Sequence, residues 1–290
     1  MVAKIDKMKR ILVPTDFSPT AEKAFRFAVD IAAKAKGTVI LYHTFIPVES
    51  TFIGTEKTRK QYNTQSEANI VKRLQRLKKK VTGDVTDVAV STIIGRSPLI
   101  NNILGFAEHE QIDLIVMGTQ GASGLKKTII GSVAARVIEM AELPVLLVPA
   151  KYELEKPAQF VFATNFQKTD KQALTLANAM AKLYNADVTV LHFLSIYTAE
   201  AKKEKEKTDF DTYAFSLQRY FNESKIKFHL LETSSVIETM ENLDKKFPYD
   251  ILAMVRRKKS FLENFFIKSF TENMAYLTKK PLLIVPETEE

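Results

Sequence analysis

The sequence predicts an α/β protein made of two tandem copies of one domain, each a parallel sheet between helices. Short aliphatic and β-branched runs alternate with longer stretches of helical periodicity, the pattern of βαβ units. The strand runs, such as TVILYHT at 38–44, DLIVM at 113–117 and PVLLVP at 144–149, are apolar throughout instead of alternating. They therefore read as buried on both faces. The chain also repeats itself. FVFATNFQKTDKQAL at 160–174 lies over ILVPTDFSPTAEKAF at 11–25, and DVTVLHF at 187–193 over TVILYHT. DILAMV at 250–255 lies over DLIVMG, and PLLIVP at 281–286 over PVLLVP. A repeat one domain long is a duplication and not a solenoid. We divide the chain into a first domain at 1–150 and a second at 151–290, with AKYELEKPA at 150–158 as a polar linker.

The elements follow in order. RILVPT at 10–15 is a first strand, and Ser18 and Pro19 start a helix as N-cap and first helical residue. Ala21, Ala24, Phe25, Ala28, Val29 and Ala32 give that helix its apolar face. A second strand at 38–45 leads into a polar stretch, 46–63, which reads as a loop. Ile70, Val71, Leu74, Leu77 and Val81 make 64–82 an amphipathic helix. A third strand at 87–94 turns through Gly95-Arg96-Ser97-Pro98 into a helix carrying Leu99, Ile103 and Phe106. The central strand 113–117, a helix at 131–141 and a last strand at 144–149 complete the half.

Composition narrows the function. With 46% hydrophobic and 26% charged residues the chain is globular. No apolar run approaches the roughly 20 residues of a membrane span, and the N-terminus lacks an apolar signal region. With no cysteine there is no disulfide and no thiol chemistry. A cytoplasmic protein is expected. The net charge of +8 sits mostly in the first 150 residues, where 21 Lys/Arg face 14 Asp/Glu; the remainder holds 21 and 20. That half suits a small anion. The basic residues lie on helix faces such as KRLQRLKKK at 72–80, without interleaved aromatics, so nucleic acid is not the expected partner.

The stretch DLIVMGTQGASGLKKTIIGS at 113–132 joins a strand to a helix through glycines. Gly118, Gly121 and Gly124 keep side chains out of the way, and Gly131-Ser132 opens the helix. Backbone N–H groups at such a helix start can point at phosphate oxygens, with the Ser132 hydroxyl beside them. The spacing is neither the dinucleotide fingerprint nor the P-loop, and Lys126 and Lys127 are not at the P-loop position. Alone, the stretch reads more simply as a glycine turn before a capped helix.

Taken together, the strand-PTDFS turn, the VILYH strand, GRSP, and GTQG followed by GS make the chain resemble the universal stress protein family over nearly its whole length. The resemblance implies Rossmann-like domains of the adenine nucleotide α-hydrolase type. Each has a five-stranded parallel sheet of order 3-2-1-4-5, with ATP held where the order reverses. It implies that Gly118, Gly121, Gly131 and Ser132 hold phosphates, helped by the backbone amides of Ser123 and Val133. Asp16 would face ribose or adenine, Pro14 and Thr44 would lie near the adenine, and Gly95 sits in the loop that lines the same pocket; Thr15 and Met117 are counted with these nucleotide-binding residues. Mg²⁺ is an optional companion of the nucleotide. It also implies a stress-response or regulatory role, and pairing of the two halves through 144–149 and 281–286. Protein partners and homodimerisation of the whole chain stay open.

Each residue also has a plain reading. Asp16 can satisfy the turn before Ser18, Thr44 is an ordinary strand residue, and Met117 and Met254 fill core. His43 and His192 fall at equivalent strand positions and read as hydrogen-bonded histidines. No general base, arginine finger or metal-binding carboxylate pair is evident, so binding is expected and a dedicated enzyme is not. A scaffold of the same fold that binds no nucleotide is the alternative.

The second half departs from the motif. Gly118 becomes Val255, Gly121 becomes Lys258 and Gly131 becomes Lys268, while Ser269 matches Ser132; Asp16 becomes Asn165 and Pro14 becomes Ala163. One nucleotide site is expected, in the first half, with a structural second half. Arg256, Arg257, Lys258 and Lys259 read as a solvated loop or as a clamp for another anion.

Overall fold

A computed structural model describes residues 8–49, 54–83, 87–119, 131–153, 155–167, 169–221, 225–257 and 279–287. The first half runs β1 (Arg10–Pro14), α1 (Pro19–Ala35), β2 (Thr38–Thr44), α2 (Glu56–Thr82), β3 (Ala89–Gly95), α3 (Leu99–His109), β4 (Leu114–Gly118), α4 (Ser132–Met140) and β5 (Val145–Val148). The second runs β6 (Gln159–Ala163), α5 (Asp170–Tyr184), β7 (Asp187–Ser195), α6 (Glu200–Tyr220), β8 (Ile226–Thr233), α7 (Val236–Glu241), α8 (Leu243–Lys246), β9 (Ile251–Arg256) and β10 (Leu282–Pro286).

Local chemistry accounts for most boundaries. Ser18 Oγ accepts from the Ala21 N–H at 3.1 Å with Pro19 in the first turn, so α1 starts where the sequence places it. In contrast, α2 starts at Glu56, inside the stretch expected to be a loop. Thr55 Oγ1 caps it by accepting from the Thr58 N–H. Only Leu74, Leu77 and Val81 of α2 are buried, so its first turns overhang solvent and carry no apolar stripe to betray them.

The ten strands form one sheet of order β3-β2-β1-β4-β5-β10-β9-β6-β7-β8. Within each half every pairing is parallel, and each half has the order 3-2-1-4-5. The halves meet at β5 and β10, the one antiparallel pairing among the described residues, with Val145 opposite Ile284, Leu146 opposite Leu283 and Leu147 opposite Leu282. This is the pairing the sequence suggests. All six of these side chains are buried. The antiparallel joint also means that the strand ends of the two halves point to opposite edges of the sheet.

Helices cover both faces. Phe25 of α1, Leu74 of α2, Leu174 of α5 and Leu217 of α6 belong to one core cluster. Ile103 of α3, Val137 of α4, Met240 of α7 and Leu243 of α8 belong to the other. Each cluster runs through both halves. Asp113 and Asp250, equivalent in the repeat, act alike. In each, a carboxylate oxygen accepts from two consecutive N–H groups entering β1 or β6. Among the described residues no helix is long and apolar enough to cross a membrane.

α1 and α5 add a second joint. Phe27 packs against Tyr152 and Tyr184, with centroids 5.9 and 6.4 Å apart. The Tyr184 hydroxyl donates to Asp30 Oδ2 at 2.8 Å. Burial, and next the Asp30 carboxylate, push the Tyr184 phenol far above its usual range, so it remains a donor. Tyr184→Ala empties a fully buried site in this joint. It is expected to cost about 3–5 kcal/mol, read as a lower urea midpoint.

Candidate functional site

Parallel strands joined by helices place every helix start at the carboxyl edge of the sheet. The strand order reverses around β1, whose neighbours are β2 and β4, and a crevice opens there. In the first half it holds a cavity of about 320 Å³. Pro14, Thr15 and Asp16 line it from the end of β1, Tyr42 and Thr44 from β2, and Met117 and Gly118 from β4. Gly131, Ser132, Val133 and Ala134 line it from the start of α4, Leu99 and Ile103 from α3, and Ala21 from α1. Nine of the twelve residues singled out in the sequence thus meet around one space. Gly121 and Ser123 lie outside the described residues.

Two helix starts at this edge lack side-chain caps. Ser18 caps α1, but Pro98 before α3 and Gly131 before α4 supply no side-chain hydrogen bond. The first backbone bond of α4 runs from the Ala135 N–H to the Gly131 carbonyl at 3.0 Å. The helix itself therefore leaves the N–H groups of Ser132, Val133 and Ala134 unpaired, and these are cavity residues. The Gly131 N–H donates to the Thr119 carbonyl at 2.6 Å, which ties the start of α4 to the end of β4. Such a helix end favours an anion through its N–H groups and its dipole.

The end of β1 is fixed from several sides. Thr15 donates its N–H to the Tyr42 carbonyl at 2.8 Å, and its hydroxyl accepts from the Phe17 N–H at 3.0 Å. Asp16 Oδ1 accepts from the Ser18 N–H at 2.9 Å, so the plain reading of Asp16 holds even though the residue also lines the cavity. Phe17 has φ +63°, a left-handed conformation unusual for an aromatic residue. Its ring packs on His43 at 4.5 Å. His43 Nδ1 bonds the Thr15 carbonyl at 2.7 Å, which makes Nδ1 the donor. Burial, with Arg73 adding to it, lowers the His43 pKa, so the ring is neutral at pH 7.

The second half repeats this frame: Phe166 has φ +65°, donates its N–H to Thr164 Oγ1, and packs on His192 at 4.1 Å. His192 Nδ1 bonds the Thr164 carbonyl. The two TxF turns and the matching histidines are the signal of this frame in the sequence.

Two glycines owe their identity to close approach. A Cβ on Gly118 would stand 2.6 Å from Thr20 Cγ2, so glycine here lets α1 lie over the end of β4. Gly95 does not line the cavity as expected. A Cβ there would stand 1.8 Å from the Tyr42 hydroxyl, so Gly95 gives Tyr42 its place, and it is Tyr42 that forms the wall. Sequence reasoning misses five cavity residues: Leu99, Ile103, Ala21 and Ala134 are apolar core positions with no motif, and Tyr42 lies inside the VILYH strand without being singled out there.

At the corresponding place the second half carries charged side chains. Asp170 stands where the first half has Ala21, and it is fully buried. Arg257 pairs with it at 2.7 Å and with Glu287 at 3.3 Å, and bonds Asn165 and Thr169 as well. Arg256 donates to the carbonyls of Glu139 at 2.9 Å and Ala141 at 2.5 Å, at the end of α4. Both arginines are thus engaged within the chain. The clamp for an outside anion is not what they form; Lys258, Lys259, Lys268 and Ser269 lie outside the described residues.

The model of the universal stress protein family matches residues 7–149 and again 159–286. The chain belongs to the universal stress protein family. It is 36% identical over 141 residues to universal stress protein MJ0531 of Methanocaldococcus jannaschii, covering 48% of this chain and 81% of that one. Universal stress protein MJ0577 of the same organism is 30% identical over 155 residues, covering 49% and 96%. A crystal structure of a universal stress protein from Archaeoglobus fulgidus superimposes with a TM-score of 0.68 at 15% identity, over 98% of each chain, which shows the tandem fold. The curated relatives thus correspond to about half of this chain, which carries the family's domain twice.

The buried ion pair of this tandem universal stress protein gives a test. Arg257→Met leaves Asp170 buried and unpaired and should cost about 3–5 kcal/mol. Adding Asp170→Ala, the residue type of the first half, should recover most of that loss in urea unfolding.

Proposed function

We propose that the first half binds ATP, with Mg²⁺ as an accompanying ion, and that the chain acts in regulation or stress response by binding and not by turnover. The observation that carries this is the pairing of an apolar crevice with the uncapped starts of α3 and α4 on one cavity. The apolar wall of Tyr42, Leu99, Ile103 and Met117 suits a flat base. The N–H groups of Ser132, Val133 and Ala134 suit phosphate, and Asp16 stands at the rim for ribose. The glycine stretch, the family resemblance and the excess of positive charge in this half point the same way.

Magnitudes decide what must contribute. A helix end favours an anion by about 0.3–1 kcal/mol, and up to about 2 when partly buried. Micromolar affinity needs about −8 kcal/mol, so base burial and several phosphate hydrogen bonds must act together. Among the described residues no three His, Asp or Glu side chains gather into a metal cage. We assign no residue as a general base. Robust Mg²⁺-dependent phosphate release that disappears in Asp16→Ala would overturn the view that this protein only binds.

The loss of the motif in the second half favours one alternative, a scaffold that needs no ligand in either half. The two readings separate on ligand content. Protein purified without added nucleotide, denatured and resolved by mass spectrometry, or titrated with ATP in a calorimeter, should hold about one ATP or ADP per chain. Two per chain would refute a structural second half, and none would leave the scaffold. Ser132→Asp sharpens the test, because a carboxylate in the first turn of α4 stabilises the helix while repelling phosphate. ATP affinity should fall at least about tenfold with no loss in melting temperature.

A further inference from the structure

The apolar wall of the cavity is interrupted by two hydroxyls. Tyr42 and Thr44 are two residues apart on β2 and so face the same side of the sheet. Both line the cavity. Thr44 Oγ1 is buried and forms no hydrogen bond of good geometry with its surroundings, although the Tyr42 hydroxyl is beside it. A buried hydroxyl whose one polar neighbour is badly aligned is costly and calls for an explanation. The Tyr42 ring is fixed in turn: it packs on Phe106 with centroids 5.0 Å apart, and Gly95 leaves the space its hydroxyl occupies. Burial holds the phenol above its usual pKa, so it keeps its proton.

The second half is an internal control. By the registers of β2 with β3 and of β7 with β8, Tyr42, Thr44 and Gly95 correspond to Leu191, Phe193 and Leu231. In the half where Arg257 binds Asp170, both hydroxyls and the glycine that seats one of them are absent together. Packing alone does not ask for them, since Leu191, Phe193 and Leu231 pack into the same core cluster.

We infer that Tyr42 is a specificity-determining residue whose hydroxyl meets the polar six-ring edge of a purine base, and that Thr44 positions that hydroxyl. This rests on the nucleotide reading of the cavity. Thr44 Oγ1 would donate to Tyr42 Oη, leaving the phenolic proton to be donated to a ring nitrogen. The hydrogen bond missing at Thr44 then forms once the Tyr42 proton has a partner in the ligand.

The test compares ATP with benzimidazole riboside triphosphate, which keeps the fused-ring shape but has no six-ring nitrogen and no exocyclic amine. Both are titrated calorimetrically into the full chain and into Tyr42→Phe and Thr44→Val. The wild type should prefer ATP. Each variant should bind ATP about 5–20-fold more weakly, the range of one hydrogen bond to a buried group, and hold the analogue within about twofold. Thermal melts check that the variants are folded, and either variant alone suffices. Equal weakening of both nucleotides, or no weakening of either, overturns the inference while leaving nucleotide binding intact. A wild type that binds neither nucleotide overturns the nucleotide reading and this inference with it.

Discussion

The antiparallel joint between β5 and β10 is the constraint on which the rest of the molecule depends. Each half ends in a strand whose outer edge would present unpaired N–H and C=O groups flanked by fully buried leucines and valines. A flat apolar edge of that kind is a site for aggregation unless another strand covers it. Here each half covers the other. Because the joint is antiparallel, the strand ends of the two halves face opposite edges of the sheet. The carboxyl end of β9 therefore arrives beside the far end of α4, and Arg256 meets the carbonyls of Glu139 and Ala141 there. A cation at a helix C-terminus is the favourable counterpart of an anion at its start. Burial opposes the charge on Arg256, and the acidic Glu142 and Glu139 support it.

Within this shared frame the halves diverge at one place. The support at the end of the first strand is kept: a threonine that accepts from the next residue but one, a left-handed phenylalanine, and a histidine that holds the threonine carbonyl. Strain of about 1–3 kcal/mol at such a phenylalanine persists only where surrounding contacts enforce it. The support is present in both halves although different side chains stand beside it, so it serves the fold. What differs is the crevice. Ala21, Asp16, Tyr42, Thr44 and Gly95 in one half stand against Asp170, Asn165, Leu191, Phe193 and Leu231 in the other.

Much of this is legible in the sequence, and what escapes has physical reasons. The sheet, its duplication and the joint are readable because buried parallel strands are continuous apolar runs that stand out twice. The first turns of α2 escape because a solvent-facing segment needs no apolar stripe. Gly95 reads as cavity lining because a motif names a residue without saying what its missing side chain makes room for; the answer, Tyr42, is on a neighbouring strand 53 positions away in the chain. Val255, Asn165 and Ala163 are legible as losses from the motif. The gain of Arg257 and Asp170 is not, since an arginine in a basic run looks solvated until its partner at the start of α5 is known.

The two halves consequently differ in what stabilises their crevices. In the second, Arg257 is bonded to Asp170, Asn165, Thr169 and Glu287 of the same chain. Breaking the Arg257 network leaves the Asp170 carboxylate buried without its cation. In the first, among the described residues, α4 itself supplies no partner for its first N–H groups, and the Thr44 hydroxyl lacks a hydrogen bond of good geometry; a bound molecule can change both. A ligand that fits stabilises the folded state by RT ln(1 + [L]/Kd), about 2.7 kcal/mol at a hundredfold excess over Kd. Because the joint between β5 and β10 and the Tyr184–Asp30 contact couple the halves, that gain at one crevice is felt across the whole sheet. The duplicated domain thus places two crevices with different side chains on one continuous sheet.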